Sequence, residues 1–222
     1  MLDDYKNEDI DLCSKCGGMC CRKCGCDYGI NDFYDRTYNG LKESLDKGDK
    51  SIVAVLNFKP LKNGGDIIEP ILYIRARNIN RGVVDLISMK TSCAELMDNG
   101  CMYDYEHRPL GGRNLKPREL ELGGCYPIIS RIDIMKQWIP YQKQLRKLVK
   151  HYTGMSVDKK ISMDVEELIY NFIIENFDSV SVLELYELKD FVPMLIKVFP
   201  IEANNAYKRY SNKNCNILRR NK

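Results

Sequence analysis

The stretch CSKCGGMCCRKCGC, residues 13–26, places six cysteines in fourteen positions of a 222-residue chain that holds ten in all. Thiolates are the soft ligands shared by structural zinc sites and iron–sulfur clusters. Cys13-x-x-Cys16 is the spacing that brings two thiolates onto one metal from a tight turn, and Gly17 and Gly18 permit the backbone such turns need. Cys20 supplies a third corner. Cys21 directly follows it, and side chains of consecutive residues diverge, so Cys21 is expected to face a second metal or another corner of a polynuclear cluster. Cys24 and Cys26 extend the same argument. A second group, Cys93, Cys101 and Cys125, lies downstream among turn residues such as Asn99-Gly100 and Gly123-Gly124. Nine candidate ligands exceed what one tetrahedral zinc requires. Two zinc sites, one iron–sulfur cluster with spare thiols, or two clusters fit the count. The tenth, Cys215, stands alone in a polar tail and is assigned no site role.

The rest of the composition selects among these chemistries. Hydrophobic residues make up 44% of the chain and charged residues 29%, which suffices for a core without disulfide staples. The formal charge is +3 from 34 basic and 31 acidic side chains, so a nucleic-acid partner is not expected. The opening MLDDYKNEDIDL lacks the basic start and apolar core of a secretory signal, and no apolar run reaches membrane-spanning length. A cytoplasmic location with no membrane partner is therefore expected. Thiols stay reduced there, which favours metal or redox chemistry over a disulfide framework. The plainer alternative for some of these residues is an ordinary buried cysteine.

CSKCGGMCC at 13–21, followed downstream by C-x7-C and then Arg-Pro in CAELMDNGCMYDYEHRP, resembles the YkgJ-like family of zinc- or iron-chelating cysteine-cluster proteins. The resemblance covers roughly residues 13–127. It implies Cys13, Cys16, Cys20, Cys21, Cys93 and Cys101 as ligands. Members commonly continue the Arg-Pro with a cysteine and an arginine. This chain has RPLGGRNLKP instead, with Gly112 at the cysteine position and Arg113 retained, and Cys125 is the candidate replacement. Family members are described as iron–sulfur proteins or oxidoreductases, and a similar domain occurs in proteins linked to flagellin lysine N-methylation.

The elements that must position these residues are legible in outline. A helix is expected over Asn31 to Leu45, capped by Asn31 or Asp32, anchored by Phe33, Tyr34 and Tyr38, and ending near Gly48. SIVAVLNF and EPILYIRAR read as strands joined at Asn63-Gly64-Gly65, and RGVVDLISM as a strand returning beside the second. Arg75 and Arg77 then share a face, most simply a solvated one. Beyond Pro127 the period becomes helical, with Pro140 dividing a helix. DVEE (164–167) and SVLE (181–184) have the form of capping boxes, a short helix is expected over 193–199, and the tail is expected to fray.

The expected architecture is α+β: a cysteine-cluster domain over 1–127 containing a small antiparallel sheet, then a helical region over 128–222 that forms a cap or second domain. The expected function is a cytoplasmic, bacterial-type metalloprotein binding an iron–sulfur cluster of the 4Fe-4S type. It would act as a redox protein or oxidoreductase with an electron or protein partner that the sequence does not name. Arg108 and Arg113 are expected to donate hydrogen bonds to cluster sulfurs or an anionic substrate. The alternatives are a non-catalytic zinc interaction module and a component of an N-methylation-type protein-modifying enzyme. His107 is expected as an exposed loop residue, His151 as a favourable charge near a helix C-terminus, and the basic stretch Lys136 to Tyr152 as a solvated helix face.

Overall fold

The computed structural model describes residues 15, 18, 21, 26–60, 66–87, 92–98, 100–116, 125–178 and 192–220. It has helices and small antiparallel sheets, an α+β protein. The chain divides into two compact units, one of Met1–Pro60 and Ile67–Gly154, the other of Leu61–Asp66 and Met155–Lys222.

The first unit is built on strands β1 (Lys50–Pro60) and β2 (Asp66–Ala76), which pair in a two-stranded sheet. Both strands are rich in β-branched and aromatic residues, which suit a pleated, covered surface. Each outer edge is occupied. Along β2, Asp27 pairs antiparallel with Arg75, with Tyr28 N–H donating to Ile74 O at 2.9 Å and Ala76 N–H to Cys26 O at 2.7 Å. Along β1, Ile52 pairs in parallel with Val84, through Ile52 N–H to Val83 O at 2.7 Å and Asp85 N–H to Ile52 O at 2.9 Å. The segment expected to return beside β2 therefore lies on the far side of β1. The edge it was expected to fill belongs to Cys26–Tyr28, and a turn with Asn80 at φ 62° carries the chain across. Asn is among the few non-glycine residues that tolerate this conformation.

Helix α1 (Tyr38–Asp46) buries Leu41 and Leu45. It starts later than the sequence suggests. Thr37 is its cap, accepting from Gly40 N–H at 3.3 Å, while Ile30–Asp32 is a separate 3-10 turn. Asp32 does not cap α1 because its carboxylate accepts from the N–H groups of Gly29 and Leu110 and from Arg113. Phe33 is buried as expected, but Tyr34 is fully exposed and anchors nothing. Gly48, at φ 87°, ends the turn beyond the helix.

Downstream come the two-residue pair β3 (Leu96–Met97) and β4 (Gly100–Cys101), the single-turn helix α2 (Leu110–Arg113), and the pair β5 (Leu115–Lys116) and β6 (Tyr126–Pro127). Then follow α3 (Arg131–Lys136), a 3-10 turn over Ile139–Tyr141 with Pro140 in it, and α4 (Gln142–Thr153) ending at the left-handed Gly154. Proline divides this helical stretch as the sequence indicates.

Residues 128–154, which composition grouped with the helical half, belong to the first unit. The physical reason is a set of side-chain amides bonded to backbone. Gln142 accepts from Leu72 N–H at 2.9 Å and donates to Leu72 O at 2.7 Å. Gln137 accepts from Ile30 N–H, and the fully buried Trp138 donates its indole N–H to Tyr28 O at 2.8 Å. Apolar periodicity carries no signal for such anchors.

The second unit is formed by α5 (Val157–Asp178), helical residues 192–198 and α6 (Pro200–Arg220). Val157, Ile161, Val165 and Ile169 line one stripe of α5 and are buried, as are Leu195 and Ala206. Arg209 pairs with Glu167 at 2.6 Å and lies over the Tyr170 ring. The DVEE signal starts no helix, since Asp164 sits inside α5 and pairs with Lys160 one turn earlier. The tail expected to fray is helical to Arg220. SVLE lies outside the described residues.

Candidate metal centre

Alternation along the extended segment 26–28 sends Asp27 to one face and Cys26 and Tyr28 to the other. On the Cys26–Tyr28 side, backbone contacts join cysteine-bearing segments from distant parts of the chain. Cys93 N–H donates to Cys21 O at 3.1 Å, a backbone tie between the N-terminal cysteine run and the downstream group. Gly18 makes a second tie. It sits at φ 72°, and any Cβ there would overlap the side chain of Leu96, the register partner of Cys101 in the β3–β4 pair. The glycine noted for turn geometry thus also permits close approach of the two segments. Cys93 itself is the bridge partner of Asn78 just past β2. Cys21, Cys26 and Cys93 are buried and Cys101 is half-buried.

These groups also act on one another electrostatically. The Tyr28 phenol is pushed far up, first by burial and then by the neighbouring Asp49 carboxylate, with Tyr103, Cys26 and Cys93 acting in the same direction. Its proton therefore stays on, and an O–H dipole rather than a charge faces the thiols. The Cys93 thiol is raised chiefly by burial and further by Cys101 and Glu95, against a backbone hydrogen bond from Glu95 and the smaller pull of Arg75. Left to itself it is a neutral thiol, and a bound cation is the kind of neighbour that converts such a group to thiolate.

Beside the thiols runs a hydrogen-bonded chain that nothing in the sequence pattern marks. Lys50 Nζ, on a buried side chain, donates to both oxygens of Asp49 at 2.8 and 2.7 Å and lies 5.0 Å from the centre of the Tyr28 ring. The Tyr103 hydroxyl donates to Asp49 Oδ2 at 2.7 Å. Burial pushes Asp49 up, but these hydrogen bonds and the lysine charge outweigh it and the carboxyl is held below its usual range. The chain fixes β1 to the segment carrying Cys101.

The opposite face is occupied by ions. Asp27 lies 3.9 Å from Arg75 and 2.9 Å from Arg131, and Arg131 also donates to the Tyr73 hydroxyl at 2.9 Å. Arg75 is only 4% exposed, so the solvated face expected for it is in fact buried. The reason is tertiary, since the segment bearing Asp27 and the start of α3 both bring charges to that side.

The remaining predicted site residues separate. Cys13, Cys16, Cys20 and Cys24 lie outside the described residues. Cys125 is half-buried immediately before β6. Arg113 donates to Asp32 Oδ1 at 2.5 Å and to Glu106 O at 2.9 Å, and Arg108 Nε to Tyr103 O at 3.1 Å. In these contacts both arginines tie loop segments together. His107 is exposed and bonded through Nδ1 to Asp104 at 2.7 Å. Among the described residues no three His, Cys, Asp or Glu side chains are grouped closely enough to hold a metal ion. No protein-family model matches the chain, and no curated protein or solved structure matches it.

Proposed function

We propose that the chain is a metalloprotein whose N-terminal cysteine run and Cys93–Cys101 segment together hold an iron–sulfur cluster. The observation that carries this reading is the Cys93 N–H to Cys21 O hydrogen bond, which ties two cysteine groups about seventy residues apart at one place in the fold. Donor chemistry fits. Cys26 and Cys93 are buried thiols, a soft set suited to zinc or iron–sulfur ligation. A complete donor set on this reading includes cysteines from 13, 16, 20 and 24. The order of the chain's cysteines, which resembles that of YkgJ-like proteins, agrees with this assignment.

When bound, a cluster supplies one-electron chemistry to an electron or protein partner. The chain's own part is to place the thiols. Backbone bonds fix Cys21, Cys26 and Cys93, and the Tyr28 phenol stays neutral beside them.

The test is anaerobic purification of the full chain followed by an absorption spectrum and iron, zinc and acid-labile sulfide analysis. The expected result is a coloured protein with iron and sulfide in equal amounts that bleaches on reduction. Colourless protein with stoichiometric zinc would transfer the site to a zinc module. Protein with neither metal overturns the proposal.

A further inference from the structure

Two contacts fix how the N-terminal cysteine run meets the segment around Cys93. Cys93 N–H donates to Cys21 O at 3.1 Å, and a Cβ at Gly18 would overlap the Leu96 side chain. Three residues back from Cys21 thus meets three residues forward from Cys93. The two stretches pass in opposite directions, with Cys21 opposite Cys93. The Cys93 segment is also held from its other side, since Ile79 N–H donates to Ser92 O and Ala94 N–H to Arg77 O, both at 2.8 Å. Both cysteines are buried. Burial alone marks an ordinary core cysteine, and the register is what singles out this pair. Cys101 stands opposite Leu96 instead, and the Cys26 carbonyl is bonded to Ala76.

A backbone hydrogen bond between residues facing each other on antiparallel stretches leaves their Cα atoms about 5.5 Å apart. That lies inside the range of about 4.4–6.8 Å that a disulfide spans. We propose that Cys21 and Cys93 form a thiol–disulfide pair, a redox modification site that joins the N-terminal run to the chain beside β2. Its oxidant is a low-molecular-weight disulfide. One thiolate attacks glutathione disulfide and releases a glutathione thiol, and the second thiolate then displaces the other glutathione. The protein pair gives up two protons and two electrons, and the glutathione disulfide becomes two thiols. Where glutathione is kept reduced the pair rests as thiols, and it closes when the poise turns oxidising. The bond needs no metal and goes beyond the metal reading above. It draws on two sulfurs which that reading also uses, so oxidation and ligand binding exclude each other.

The test uses the full chain, treated with chelator and equilibrated at low concentration in glutathione buffers from fully reduced to fully oxidised. After the remaining thiols are blocked, peptide mapping is expected to find Cys93 cross-linked to the peptide carrying Cys21. Cys20→Ser is expected to keep that cross-link and Cys21→Ser to lose it, which separates the adjacent residues. Oxidation of wild type is expected to raise the thermal midpoint by at least about 5 °C, because a closed loop restrains the unfolded chain. Reduction with dithiothreitol should reverse the shift, and Cys93→Ser should not show it.

An absent cross-link, one that survives Cys21→Ser undiminished, or one that lowers the midpoint overturns the proposal. The two readings fail separately. Wild type purified anaerobically without iron or zinc that still forms the bond removes the metal reading and leaves the pair. Metal-bearing protein that forms no such bond once chelated does the reverse.

Discussion

The two faces at Cys26–Asp27–Tyr28 hold polar groups for opposite purposes. On the Asp27 face, a carboxylate lies between Arg75 and Arg131, and Arg131 also reaches the Tyr73 hydroxyl. Cations and anion are supplied together, and the result is a bolt between β2 and α3. On the Cys26 face, backbone bonds bring cysteine-bearing segments together: Cys93 N–H donates to Cys21 O, and Ala76 N–H to Cys26 O. Around Tyr28 and Cys93 lie charged as well as neutral groups: the Lys50–Asp49 pair, Glu95 and Arg75. Structure consumes its own charges on the first face. The second holds cysteines on segments that β2 and the residue-93 segment fix through their backbones.

If the contrast is right, the largest effect belongs to the thiol face and is chemical. Cys93→Ser is expected to abolish most bound iron while shifting the metal-free protein's thermal midpoint little, since serine is close to isosteric. Unchanged metal content would break the view that the two cysteine groups share a centre. Next in size is the ion face. Asp27→Asn removes the carboxylate that bonds Arg131 and lies 3.9 Å from Arg75, and is expected to cost about 1.5–3 kcal/mol in urea unfolding, the range for a hydrogen bond to a charged group, because burial already raises this carboxyl's pKa and offsets part of the pairing. A loss below about 1 kcal/mol would mean that the ions do not bolt the face together. Tyr73→Phe deletes one hydrogen bond to Arg131 and should cost about 1 kcal/mol by the same assay.

The smallest expected effect separates the faces by the sign of a pH dependence. Asp49 titrates below its unfolded value, so its contribution is present above about pH 4 and is lost as pH falls through the folded pKa. Tyr103→Phe removes one of the bonds that lower it and should move the acid unfolding midpoint upward. Asp27 is shifted the other way, raised by burial despite Arg131 and Arg75. Its contribution is full below the unfolded value and is lost as pH rises through the folded one. Acid midpoints that move alike in Tyr103→Phe and Asp27→Asn would contradict this difference.

Some of this was legible without coordinates. Strand periods around Ile52 and Leu72 and the break at Pro140 followed from local patterns. Local signals misled where a side chain had a distant task. Asp32 reads as a helix cap but serves Gly29, Leu110 and Arg113. The DVEE box reads as a start, but Ile161, Val165 and Ile169 continue one apolar stripe through it. Asp49, Lys50 and Tyr103 escaped notice because their association depends on β1 meeting the Cys101 segment. A buried arginine such as Arg75 is likewise indistinguishable from a solvated one until its partners at 27 and 131 are placed.

The sequence by itself raised the expectation of metal or redox chemistry, because thiol density at metal-ligand spacing is a property of residue type and local separation. Tertiary structure decided which cysteine-bearing segments meet. Cys21 reaches Cys93 through a backbone bond, and Cys26 reaches Gly112 across a glycine contact. Both depend on a sheet edge taken by residues 26–28, and pairing between distant edges leaves no trace in local periodicity.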